Sequence, residues 1–196
     1  MPIVVSVMIV ISFTQTALLD RTVALVGGEA ITLSDVRAAM ALGLVDDPQA
    51  SIAEVTSGLV DRALILREVQ RYAPPAPAES AIDERLDRIR DQINAPLAPL
   101  LARHGFTEIR LRAWVRDDLR SQAYLEQRFA SASLPSESEV AAAYTRQRAE
   151  FDKAGLTFEQ AAPMVRQRLV ESRRRELVAD WLSDLRRRTD VVILPQ

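Results

Sequence analysis

Leu19-Asp20-Arg21-Thr22-Val23-Ala24-Leu25-Val26-Gly27-Gly28-Glu29-Ala30-Ile31-Thr32-Leu33-Ser34-Asp35-Val36 decides how this chain starts to fold. A β-branched run, a Gly-Gly pair and a second short run predict a hairpin, because a two-residue turn needs residues that accept positive φ. Thr32 and Ser34 are both N-cap candidates for the helix that follows, and Thr32 with Asp35 has capping-box spacing. At the other end, Trp181-Leu182-Ser183-Asp184-Leu185-Arg186 closes a long amphipathic helix, and Thr189-Asp190-Val191-Val192-Ile193-Leu194 follows it. Four apolar residues in a row have no ladder partner of their own in water. Pairing of 191–194 with the strand at 22–26 satisfies both ends. The expected fold is therefore mostly α, a helical body closed by a small β-sheet that joins the N-terminal hairpin to the C-terminal strand.

The segments between fit that reading. Residues 52–71 carry Ile52, Val55, Leu59, Ala63, Leu66 and Val69 at helical spacing, and Leu59-Val60-Asp61-Arg62-Ala63-Leu64-Ile65-Leu66 is apolar almost all round, the mark of a central helix. Tyr72-Ala73-Pro74-Pro75-Ala76-Pro77 is a hinge. A charged helix over 79–93 follows, then a short one that stops at His104-Gly105, and then one capped by Thr107 that runs to about Phe129. Ser131-Ala132-Ser133-Leu134-Pro135 is a second linker. Ser136 caps a helix through Val140, Tyr144 and Phe151, and Thr157 caps the last one.

Residues 3–13 are an apolar run of signal-peptide length, too short for a bilayer span of roughly 20 residues. Ala17 offers a small residue at the cleavage point, although no Lys or Arg precedes the run. The segment 1–17 reads as an export signal or an uncleaved anchor, so a periplasmic protein is expected, with no integral span unless that segment is retained. The organisation expected is 1–17 for the signal, 18–72 for the hairpin and core helices, 73–134 for a helical arm, and 135–196 for the C-terminal helices and closing strand. The last three belong to one domain, 18–196.

Composition removes much chemistry. With no cysteine and a single histidine, thiolate sites, Cys nucleophiles and His-based metal clusters have no ligands within the chain. His104, at a helix end, is explained by the helix dipole. Gly27-Gly28 lacks the further glycines and the Lys-Ser/Thr of a phosphate loop. The adjacent pairs Asp46-Asp47 and Asp117-Asp118 face different directions on a helix. No catalytic residue, metal ligand or cofactor site is expected. Basic residues number 25 against 27 acidic ones, and the arginine runs 173–175 and 186–188 alternate with acids, so a nucleic-acid partner is not expected.

The opening hairpin, the 59–68 helix and two further stretches resemble the N-terminal domain of SurA-like periplasmic chaperones. The further stretches are Phe106-Thr107-Glu108-Ile109-Arg110-Leu111-Arg112 leading into Val115-Arg116-Asp117-Asp118-Leu119, and Leu134-Pro135-Ser136-Glu137-Ser138-Glu139-Val140. The resemblance implies a SurA N-terminal-like helical domain that binds unfolded exported or outer-membrane polypeptides. In many relatives a parvulin prolyl isomerase domain of about a hundred residues precedes the final helix. Here only Asp152-Lys153-Ala154-Gly155-Leu156 stands at that place, so isomerase activity does not carry over. An apolar groove for extended clients is expected at Met40, Leu44, Leu97, Leu100, Leu101 and Phe106. The alternative is a structural module that uses the same groove for one defined partner or for itself.

Overall fold

Thr22–Val26 (β1) and Glu29–Thr32 (β2) form the antiparallel hairpin, with Val26 opposite Glu29 and Ala24 opposite Ile31. These and all other details come from a computed structural model that describes residues 20–45, 47–93 and 95–195. The expected export segment, 1–17, lies outside the described residues. Gly27 and Gly28 close the turn at φ of 55° and 87°. At Gly27 it is the positive φ that favours glycine, while a Cβ there would meet only the mobile end of the Arg67 side chain.

Val191–Ile193 (β3) pairs antiparallel with β1, Leu25 opposite Val192, and the sheet order is β2-β1-β3. Gly27 N–H donates to Asp190 O at 2.7 Å and Leu194 N–H to Val23 O at 2.9 Å, extending the ladder at both ends. The two ends of the chain thus meet as the spacing predicts.

Eight helices surround the sheet among the described residues. Leu33–Ala41 (α1) starts on the Thr32–Asp35 capping box, with Thr32 N–H donating to Asp35 Oδ2 at 2.9 Å and Asp35 N–H to Thr32 Oγ1 at 3.2 Å. Ile52–Tyr72 (α2) has the same device at Ser51 and Glu54 and ends at Ala73, whose left-handed φ of 42° turns the chain into Pro74-Pro75. Glu79–Gln92 (α3), Leu97–Arg103 (α4) and Glu108–Phe129 (α5) follow, α5 beginning on the Thr107 cap. Glu137–Arg146 (α6) and Arg148–Lys153 (α7) precede the long Phe158–Arg188 (α8).

The expected single helix from Ser136 through Phe151 is two helices. The chain breaks at Gln147, which brings the rings of Tyr144 and Phe151 into a stack 5.2 Å apart. On one continuous helix those positions, seven residues apart, stand about 10 Å from each other along the axis.

Three apolar clusters hold the helices. In the largest, Val23, Val26, Val36, Val60 and Leu64 meet Tyr124 and Phe129 of α5 and Trp181 and Leu185 of α8. The second joins Ile82, Leu86 and Ile89 of α3 to Leu101, Phe106, Leu111 and Val115. The third is confined to α6, α7 and the start of α8. Ion pairs reinforce several seams between helices. Arg112 of α5 reaches Glu79 and Asp83 of α3, each at 2.6 Å. Arg186 of α8 donates to Asp61 at 2.7 Å and to Ser57 O and Oγ of α2.

Glu139 ties the third cluster to its cap. Its carboxylate accepts the Ser136 N–H and hydroxyl and pairs with Arg173, which together hold its pKa at about 2. A depressed acid stabilises the folded form above its unfolded pKa, and that help is lost as pH falls through the folded value. The window here is from 4.5 down to about 2. Titration of the Glu139 carboxyl carbon by NMR is expected to show a midpoint at the low end of this window; a midpoint near 4.5 would mean that the cap is open.

Candidate functional site

Helix α2 buries one side and leaves two flanks open. Leu59, Val60 and Leu64 face the core, while Ile65 and Leu66 are only partly covered. Helix α5 lies beside it, and the space between them divides into two clefts that share Leu59, Arg62 and Trp114 as a common wall.

The first, of about 330 Å³, runs along Glu29, Ala30 and Ile31 of β2 and is here called the sheet-side cleft. Its charged residues balance. Glu29, Asp35 and Asp117 stand against Arg62, Arg67 and Arg110, and Arg110 already pairs with Asp35 at 2.5 Å while lying 4.2 Å over the Phe106 ring. The second, of about 470 Å³, opens toward Leu44, Val45, Asp47 and Ala50 and is the loop-side cleft. Leu44, Val45, Val55, Ile65 and Leu125 supply its apolar floor.

Arg62 is the wall between them. Its guanidinium lies 3.8 Å over the Trp114 ring and its Nη2 donates to Trp114 O at 3.1 Å. Burial pushes its pKa below the ordinary arginine value, and the nearby Asp118 and Asp117 pull it back up. Its buried Nε makes no hydrogen bond, an arrangement that costs free energy in an apolar setting. The stack on Trp114 compensates by an amount of order 1 kcal/mol or more where the cation is desolvated. Asp117 and Asp118, neighbours in sequence, point to opposite clefts, Asp117 into the sheet-side one and Asp118 into the loop-side one.

The six residues expected to form a groove are distributed differently. Leu101 and Phe106 are 2 % and 3 % exposed and belong to the second core cluster, with no surface left for a ligand. Leu97 and Leu100 pack partly buried against the same cluster, and Met40 against the first. Leu44 alone of the six lines the loop-side cleft. Apolar spacing could not separate these roles, because a core leucine and a groove leucine look alike in sequence. The Arg62–Trp114 wall was missed. Its one sequence signal is a charged residue in the middle of the 59–66 run, which is otherwise apolar nearly all round.

Both clefts are open, both carry an aromatic wall, and charged side chains line their walls beside the apolar ones. His104 caps α4, where its backbone N–H bonds to Leu101 O at 3.1 Å. Among the described residues no group of three or more His, Cys, Asp or Glu is placed to hold a metal ion, and no helix is long and apolar enough to cross a membrane. The chain matches no model of a known protein family and no curated protein.

Proposed function

We propose that this chain is a non-enzymatic holding chaperone of the SurA-like kind, which acts in the periplasm on unfolded exported or outer-membrane polypeptides. The supporting observation is the pair of open, part-apolar clefts flanking α2, with Trp114 and Leu59 in both walls. An extended segment presents side chains alternately to either side, so one set can enter a cleft while the other stays in water. Removing apolar side chains of the client from water supplies the affinity, at roughly 25 cal/mol per Å² buried. The sheet that joins the two ends and the arm helices α3–α5 also accord with the family's helical domain. Between α7 and α8 only Ala154, Gly155, Leu156 and Thr157 intervene, so the chain offers no place there for the isomerase domain of relatives.

The test is light scattering from an unfolded outer-membrane β-barrel client diluted out of denaturant. The protein in several-fold excess is expected to suppress the rise, with no catalysis of prolyl isomerisation. Ile65→Asp combined with Leu125→Asp is expected to remove most of the suppression. Each introduced carboxylate would have to be desolvated under the client, at a cost of several kcal/mol when unpaired. A thermal melt of the variant checks that the body still folds. Unchanged scattering with wild-type protein would overturn the chaperone reading, leaving the single-partner module as the reading to pursue.

A further inference from the structure

The loop-side cleft is not neutral. Asp47, Glu54, Asp61 and Asp118 line it, and among the described residues Arg62 is the one basic residue in its lining. Asp61 is matched by Arg186 at 2.7 Å, and Asp118 lies close enough to Arg62 to favour that residue's charged form. Asp47 and Glu54 are different. Both are exposed, and among the described residues neither is paired with an arginine or lysine. Asp47 Oδ1 accepts the Gln49 N–H at 2.8 Å, and Glu54 Oε2 accepts the Ser51 N–H at 2.7 Å. These bonds fix the two carboxylates beside the apolar floor made by Val45, Val55 and Leu125. The Ser51 bonds also hold the Glu54 carboxyl below the usual carboxylate range, so it stays charged in mildly acidic surroundings.

The rest of the molecule does not share this bias. The sheet-side cleft carries three acids against three arginines, and the whole chain has a net charge of only -2. The acidic field is local to one apolar cleft, where it attracts a cation and repels an anion at a short range that salt screens only in part.

We propose that the loop-side cleft binds extended segments in which apolar residues sit beside arginine or lysine, the apolar side chains entering the cleft and the cations meeting Asp47 and Glu54. This inference rests on the polypeptide-binding reading above and narrows it to a chemical class of client. Acid-flanked apolar segments are disfavoured at the same site, because their carboxylates would face two others.

Two synthetic decapeptides with one apolar core, flanked by arginines in one and by glutamates in the other, test this by fluorescence anisotropy against the full chain. The arginine-flanked peptide is expected to bind at least about five-fold tighter at low salt, an advantage that shrinks in 1 M salt. Asp47→Asn with Glu54→Gln keeps both hydrogen-bond acceptors and removes both charges. The double variant is expected to lose about 3- to 10-fold in affinity for the arginine-flanked peptide while its melting temperature stays close to that of the wild type. Equal binding of the two peptides, tighter binding of the glutamate-flanked one, no binding of either, or an unchanged ratio in the variant would overturn the proposal. Client light scattering by the same wild-type preparation separates the two claims. Suppression without a charge preference removes only this inference, whereas no suppression removes the chaperone reading itself.

Discussion

Replacing Trp181 by alanine is expected to lower stability by about 3–5 kcal/mol, the usual loss for a large aromatic cut from a core. Trp181 is 8 % exposed and stands where α8 meets α5. Its ring lies 6.0 Å from those of both Tyr124 and Phe129, the latter edge-on, and the Arg128 guanidinium sits 5.0 Å over it. Tyr124 in turn stacks on Tyr72 at the end of α2, at 5.8 Å. A single side chain thus ties the last helix to α5 and, through Tyr124, to Tyr72 of α2, and alanine would leave a cavity facing two aromatic rings. Urea denaturation followed by circular dichroism measures the loss. Met164→Ala, at a position 40 % exposed on the same helix, is the control and should change the midpoint little. A Trp181 variant within 1 kcal/mol of wild type would show that α8 is held by its ion pairs and not by this cluster.

The second large effect is expected from deleting residues 191–196. The truncated chain loses the ladder between Leu25 and Val192 and the Leu194 N–H bond to Val23 O. It also loses the half-buried side chains of Val191 and Leu194. Partial burial of two aliphatic side chains and a few net hydrogen bonds amounts to about 2–4 kcal/mol. Val192 and Ile193, 41 % and 50 % exposed, add little side-chain burial to that sum. An unchanged denaturation midpoint would mean that β1 needs no second partner. The deletion would also turn β1 from a central into an edge strand, an invitation to pair with other chains, so light scattering during the melt is a useful companion measurement.

The elements most legible in the sequence were those written by local chemistry. Thr32 with Asp35, Thr107, Ser136 and Thr157 each stand at the start of an observed helix, because a short polar side chain satisfies backbone N–H groups that no helix can satisfy itself. The pairing of the two ends was legible for a different reason, since an apolar strand without a local partner must find a distant one. The break at Gln147 was not legible. Neither proline nor glycine marks it, and what accompanies it is a contact between side chains, the stack of Tyr144 on Phe151 with Phe158 edge-on to Tyr144 at 5.2 Å. The site was legible only in outline. Sequence identified α2 as the central helix, yet which of its flanks stay open depends on where α5 lies. Only that placement sends Leu101 and Phe106 inward and leaves Leu59, Arg62 and Trp114 lining the clefts.

The closing strand has a consequence in time. Arg21 donates to Pro195 O, 174 positions along the chain, and β1 has both its neighbours only when β3 has arrived. During synthesis from the N-terminus the hairpin emerges long before β3 and must wait for nearly everything between them before its outer edge is covered. Loop closure over that distance is slow, and folds that depend on such contacts assemble late. Helices α3 to α5 and the α6–α8 hairpin can form as they appear, but the first cluster cannot be completed until Trp181 and Leu185 are present. The protein is therefore expected to pass through a stage in which its own N-terminal strand is an unpaired apolar edge, the same kind of surface its proposed clients display.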